Sequence, residues 1–237
     1  MPELRRPHHR TIAALLRSLD AQFLLEARCF FGGGTCLALM LDEFRESRDV
    51  DFLCADRAGF RALRETVSEG SLGRIMRKAW PLAREVRADR DAIRTFVAAD
   101  DLRIKLEIIR EGRIDLSGAL DRRFGVPTID LDCLVAEMLL ANADRGLDDS
   151  TQSRDLVDLA FLAARHGRKR MRPGLELAET AYGSAIRRGL QQALNGLAAR
   201  RGRLSACARA LGVEDAATLR RGISMLRALC ARGRGSP

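Results

Sequence analysis

The sequence predicts an α+β protein, with a small mixed-sheet lobe over residues 1–130 and an all-helical lobe over residues 131–237. Three patterns carry that reading. A short apolar strand, Arg28-Cys29-Phe30-Phe31, runs into a glycine turn that opens a helix to about Asp42, and a second strand follows at Asp49–Cys54. Residues 84–87, 92–98 and 102–110 read as strands separated by the polar turns Ala88–Asp91 and Ala99–Asp101. From Leu131 onward the period changes to that of helices, at about 131–145, 153–165, 174–199, 203–211 and 214–231.

The remaining elements follow from the same rules. Residues 10–27 place Ile12, Leu15, Leu16, Leu19, Phe23 and Leu24 at helical spacing and read as one helix. A further helix is expected at 57–68 and a short strand at 125–130. The basic segment Gly167–Pro173 holds a helix breaker and reads as a hinge or lobe connection. The Arg-rich Gly233–Pro237 tail reads as disordered.

Composition narrows the class. A chain with 46% hydrophobic and 31% charged residues is that of a globular protein. It has no apolar run long enough to span a membrane. The first residues lack the apolar core of a signal peptide, so a cytoplasmic location is expected. Cys29, Cys36, Cys54, Cys133, Cys207 and Cys230 are scattered, with no C-x-x-C pair, and read as buried thiols. The histidines show no metal or triad spacing: His8 and His9 fall in an N-terminal segment expected to be mobile, and His166 ends a helix.

The net charge of +9 is carried almost wholly by arginine, since Lys78, Lys105 and Lys169 are the only lysines. Arginine presents a planar fork suited to phosphate, although a GC-rich genome gives the same bias. Beyond residue 160 the acids are Glu176, Glu179, Glu214 and Asp215, against 16 Lys and Arg. That excess favours a polyanionic partner such as RNA or DNA.

The chemistry concentrates in Phe31-Gly32-Gly33-Gly34-Thr35 and Arg45-Glu46-Ser47-Arg48-Asp49-Val50-Asp51. Alternate residues of a strand share a face, so Asp49 and Asp51 bring two carboxylates together. Like charges that close are unfavourable unless a cation joins them or one is protonated. A hard divalent ion takes such oxygen ligands and bridges them to phosphates. Gly33, Gly34 and Thr35 offer backbone N–H groups at a helix N-terminus, where anions bind. Each half has a plainer reading, as a tight connection or a solvated strand edge; together they read as a nucleotide site with its metal. Arg45 and Ser47 are candidates for triphosphate contact, the alternative being an Arg45 pair with Asp42 or Glu46. In Leu102–Ile108 the polar face carries Arg103, Lys105 and Glu107, and Glu107 is a candidate third carboxylate.

The segment Gly32–Leu39 with Arg45–Phe52 resembles the GG-T-x-L-A-L…R-x-S-x-D-x-D signature of the AbiEii/AbiGii toxin group. These are minimal nucleotidyltransferases with a polymerase-β-like core. The resemblance implies a small mixed sheet with a helical domain, an acidic third ligand at Glu107, and Mg²⁺, with Mn²⁺ as an alternative, held by Asp49, Asp51 and Glu107. It further implies transfer of an NMP from NTP to an acceptor hydroxyl, the tRNA 3′ end, by a toxin with a separately encoded antitoxin. The stretches Leu134–Arg145 and Ser153–Leu159 are similar to the family's A-E-K-L-x-A…R…R-D-x-x-D-L segment, which implies a catalytic role for Asp155 and a nucleotide-binding role for Asp158.

One departure matters. Met138 stands where the family has a nucleotide-facing lysine. Methionine cannot neutralise charge that develops in phosphoryl transfer. Either another cation, such as Arg145 or Arg154, substitutes; or the chain is a weakened or non-catalytic nucleotide- or RNA-binding homologue; or it is an inactivated variant.

Overall fold

A seven-stranded mixed sheet forms the first unit of the chain. The computed structural model describes residues 4–99 and 101–231, so Asp100 of the predicted turn and the Gly233–Pro237 tail lie outside the described residues. By internal packing the chain divides into Met1–Glu43 with Ser47–Asp130, and Phe44–Glu46 with Leu131–Pro237. The first unit contains α1 (Pro7–Ser18), α2 (Ala21–Glu26), β1 (Cys29–Gly32), α3 (Gly33–Met40), β2 (Val50–Cys54) and α4 (Arg57–Glu65). It continues with β3 (Leu82–Ala88), β4 (Ala92–Ala99), β5 (Leu102–Arg110), β6 (Gly118–Asp121) and β7 (Val126–Ile129). The strand order is β3-β4-β5-β2-β1-β7-β6. The β2–β5 and β1–β7 pairs are parallel, and the other neighbours are antiparallel.

The register decides which residues share a face. Val50, Phe52 and Cys54 of β2 pair with Leu106, Ile108 and Arg110 of β5. Phe31 pairs with Phe52, and their rings lie 5.6 Å apart, in a tilted packing within the core. Alternation does the rest: Ile104, Leu106 and Ile108 are buried, whereas Lys105 and Glu107 on the other face are half-buried. All but one of the cysteines are buried, and all are free thiols; Cys230 is half-buried.

The second unit is helical: α5 (Leu131–Arg145), α6 (Arg154–Tyr182), α7 (Ala185–Ala199), α8 (Arg203–Ala210) and α9 (Ala216–Ala231). Phe44–Glu46, from the connection after α3, packs with these helices. Phe44 stacks on Phe161 with ring centroids 4.1 Å apart, and the Glu46 N–H donates to the Leu211 carbonyl at 3.0 Å.

Four expectations are corrected. The helix expected over 10–27 is two helices, because Asp20 caps α2 by accepting from the Phe23 N–H at 2.9 Å. The segment Gly167–Pro173 connects no lobes; it lies inside α6, which kinks at Gly167 with φ 79° and ψ 156°, a conformation reserved for glycine. The helix expected over 174–199 is interrupted at Gly183-Ser184. His9 is not mobile. It is buried in α1, with Nδ1 2.7 Å from Glu43 Oε1.

That histidine anchors a strained turn. Asp42 and Glu43 have φ of 57° and 55°, a left-handed conformation that costs roughly 1–2 kcal/mol per non-glycine residue. The Glu43 carboxylate compensates by accepting from the N–H groups of Arg5 at 2.5 Å and Arg6 at 3.0 Å as well as facing His9. Burial pulls His9 below its ordinary value, against the upward pull of Glu43. Burial pushes the Glu43 carboxyl up, but the two N–H groups and His9 bring it below its ordinary value.

Both groups therefore bind fewer protons folded than unfolded, so their stabilisation is present at neutral pH and is lost on acidification. Stability should fall from about pH 6.5 downward through His9, and further below about pH 4.5 through Glu43. In thermal unfolding at pH 7.5 and pH 5, His9→Gln should flatten the upper part of this decline, with about 2–4 °C of midpoint for each kcal/mol removed.

Candidate active site

The strand β1 enters α3 with no intervening loop: Gly32 ends the strand and Gly33 begins the helix. Gly33 has φ +68°, and a Cβ there would lie 2.6 Å from Asp51 Oδ2, so the position requires glycine on both counts. The same strand pairing puts Gly32 opposite Asp51. On the other side of β2, Asp51 pairs with Glu107 in parallel register. Paired residues of a parallel ladder project to one face, with strands about 4.8 Å apart. Gly33, Asp51 and Glu107 are thus brought together at the middle of the sheet.

Asp49 lies one residue outside β2 and is half-buried, with no hydrogen-bond or ion-pair partner among the described residues. Two residues earlier, the Ser47 hydroxyl shares a 2.7 Å hydrogen bond with the Thr35 hydroxyl in the first turn of α3. Behind Ser47 stands His9, whose Nε2 is 3.0 Å from the Ser47 carbonyl oxygen and 3.3 Å from its nitrogen. Gly34 and Thr35 lie in the first turn of α3, where backbone N–H groups have no intrahelical acceptor. The first unit therefore groups Gly33, Gly34, Thr35, Ser47, Asp49, Asp51 and Glu107 around one strand–helix junction and the neighbouring strands.

Glu107 is engaged. Arg94 Nε donates to its Oε1 at 2.9 Å, and Lys105 Nζ contacts its Oε2. Among the described residues no three His, Cys, Asp or Glu side chains converge closely enough to hold a metal ion. Of the expected ligand trio, the third member has both its oxygens in contact with cations. The donor set nevertheless fits a hard divalent ion in kind, being all carboxylate, with Asp51 and Glu107 in one register row. Cys36 supplies no nucleophile, since burial raises its thiol far above the ordinary value.

In the helical unit, several expected site residues are partners of one another. Arg45 donates from Nε and Nη2 to the two Asp158 oxygens at 2.6 and 2.8 Å. Both side chains are only 1% exposed. Arg45 and Asp158, both expected at the nucleotide, pair with each other in a buried fork. Arg45 Nη1 also donates to the backbone carbonyl of Glu46, one of the two neighbours that the sequence offered as partners, at 2.8 Å. Burial pushes the Asp158 carboxyl up against the opposing pull of Arg45. Asp155, expected to be catalytic, is buried and accepts from Arg145 Nε and Nη2, each at 2.9 Å. Arg145, offered as a substitute for the family lysine, pairs with Asp155 in this way. Met138 is 5% exposed and belongs to the apolar side of α5.

The residues that sequence reasoning passed over are Arg94, Lys105 as a partner of Glu107, and His9. The pairing of Arg94 with Glu107 follows from the β4–β5 hairpin register, and alternation had already put Lys105 on the Glu107 face. Nothing local marked His9, whose partners lie 34 and 38 positions away.

Residues 14–219 match the family described as nucleotidyl transferase AbiEii toxin, Type IV TA system. No curated protein matches the chain. A candidate nucleotidyltransferase from H. pylori shares the fold at 17% identity and TM-score 0.52, covering 94% of each chain. The Helicobacter pylori protein JHP933 is similar at 16% identity and TM-score 0.52, covering 94% of this chain and 91% of its own.

Removing one partner of a buried ion pair strands the other. Asp158→Ala should lower stability by about 3–5 kcal/mol in chemical denaturation, and the double change Arg45→Met with Asp158→Leu should recover much of that loss. Equal destabilisation by single and double variants would show that packing, not the pair, holds this point.

Proposed function

This chain belongs to the AbiEii family of nucleotidyltransferase toxins, and from that premise we propose that it moves an NMP from an NTP to an acceptor hydroxyl, the 3′ end of a tRNA. The observation that carries the reading is the single register row in which Asp51 stands opposite Glu107 with Gly33 pressed against it. Two carboxylates side by side at the centre of a sheet repel unless positive charge offsets them, and a divalent ion would add such charge to that of Arg94 and Lys105.

In this reading the acceptor oxygen attacks the α-phosphorus, the bond to the β-phosphate breaks, and pyrophosphate leaves. Gly33, Gly34 and Thr35 hold the departing phosphates through backbone N–H groups at the start of α3. The Thr35–Ser47 hydrogen bond keeps that turn and the approach to Asp49 in fixed relation. Arg94 and Lys105 hold Glu107 aligned on its strand until phosphate and cation arrive. A divalent cation, Mg²⁺ or Mn²⁺, held by Asp49, Asp51 and Glu107 would supply charge neutralisation on the triphosphate and activation of the attacking hydroxyl. A toxin of this family is expected to have a cognate antitoxin, and this chain is proposed to act in the cytoplasm.

A second reading has its own support. Met138 is buried and uncharged where the family places a lysine, and Arg145 is tied to Asp155. A chain that binds nucleotide or RNA and turns over slowly fits those two facts.

The test is incubation with each α-labelled NTP, total tRNA and Mg²⁺. Label should appear on tRNA, vanish in Asp49→Ala and Asp51→Asn, and fall about 100-fold in Gly33→Ala, the order of loss expected when a reacting geometry shifts by 1 Å. Unchanged labelling by Asp51→Asn would overturn the site assignment. A silent wild type with an active Met138→Lys variant would favour the second reading.

A further inference from the structure

A cavity of about 710 Å³ opens in the helical unit beside the kink of α6. Three cations from five consecutive positions line it: Arg168, Lys169 and Arg172. None of the three has a hydrogen-bond or ion-pair partner among the described residues. Arg168 and Arg172 stand at i and i+4, neighbours on a helix surface, where like charges repel. Lys169 and Arg172 are exposed, and Arg168 is half-buried. The contrast with the rest of the wall is informative. Arg187 also lines the cavity, but its guanidinium is neutralised by Glu179 at 2.6 Å. Gly167, whose φ of 79° breaks the helix and whose Cα faces open space, lies on the lining as well.

The remaining lining selects among anions. Leu175 and Leu229 give an apolar floor, and Glu176 is a lone carboxylate at the wall. Arginine forks and a lysine favour phosphate oxygens. The volume lies within the range of about 300–1,000 Å³ typical of sites for small organic groups, larger than a bare phosphate needs. Glu176 repels a peptide carboxylate as it repels phosphate, but the 2′-hydroxyl of a ribose, which an acidic peptide lacks, can donate to it. We propose that this cavity seats a ribose-phosphate unit of an RNA backbone, as an anchor separate from the transfer residues. That the RNA is the acceptor rests on the transferase reading above; the binding does not.

The experiment is fluorescence anisotropy of the full chain with fluorescein-labelled bulk tRNA across a salt series. The triple variant Arg168→Ala/Lys169→Ala/Arg172→Ala should bind at least about tenfold more weakly and lose roughly 2 from the slope of log affinity against log salt, at ~0.7–0.9 per phosphate contact. Circular dichroism and NTP calorimetry should match those of the wild type. Glu176→Gln should narrow the preference for an RNA oligonucleotide over DNA of the same sequence. An unchanged salt slope in the triple variant overturns the proposal. Displacement of tRNA by poly-L-glutamate as effectively as by unlabelled tRNA also overturns it, in favour of an acidic protein. Asp51→Asn should keep the wild-type slope. If no form of the protein labels tRNA while the slope still depends on the three cations, the transferase reading fails and the anchor stands.

Discussion

The central constraint on the first unit is the placement of two carboxylates in one row of its sheet. Strand β2 lies between β1 and β5, so Asp51 is opposite Gly32 on one side and Glu107 on the other. At strand spacing, two ionised carboxylates repel unless positive charge is nearby. Arg94 and Lys105 supply it to Glu107 from the same face. Gly33 then follows as a necessity, because the Asp51 carboxylate occupies the volume that any side chain would need. A cation entering this row competes with an arginine and a lysine for the same oxygens, which makes the neighbours of Glu107 part of the chemistry.

The chain leading into β2 is secured at every second residue. Glu43 is bound by two backbone N–H groups and His9, Arg45 by Asp158, and Ser47 by Thr35 and His9. This connection is irregular in backbone terms and includes two strained residues. Ahead of Asp49, the Thr35 hydroxyl and His9 hold Ser47 by side-chain bonds where no strand ladder does.

In the helical unit, charges divide into paired and unpaired sets. Arg45–Asp158 and Arg145–Asp155 are forks in which both oxygens of a buried carboxylate are used. Such pairs are costly to break and only weakly favourable over apolar packing, so they specify geometry more than stability. The α6 kink carries the opposite kind of charge, three cations with no ion-pair partner among the described residues, beside a cavity. The same arginine-rich composition therefore does two jobs, and composition alone cannot separate them.

Most of the elements were legible from periodicity and punctuation. The strand β5 and the helix α5 stand where alternation and helical spacing put them, because each buries a complete apolar face. Gly33, Thr35, Ser47 and Asp51 were legible because strand, turn and helix chemistry acts over a few neighbouring residues. The errors lie where local signals compete. Asp20 ends a helix that apolar spacing would have continued, and β6 is too short and exposed to carry a pattern. Local sequence thus determined element types and the identity of the acidic and glycine residues. Which carboxylate meets which cation was decided by register and long-range packing: Arg45 finds Asp158 across 113 positions, and Arg94 finds Glu107 across a hairpin. Ion pairing is set by distance in space, and periodicity reports only the face from which a side chain starts.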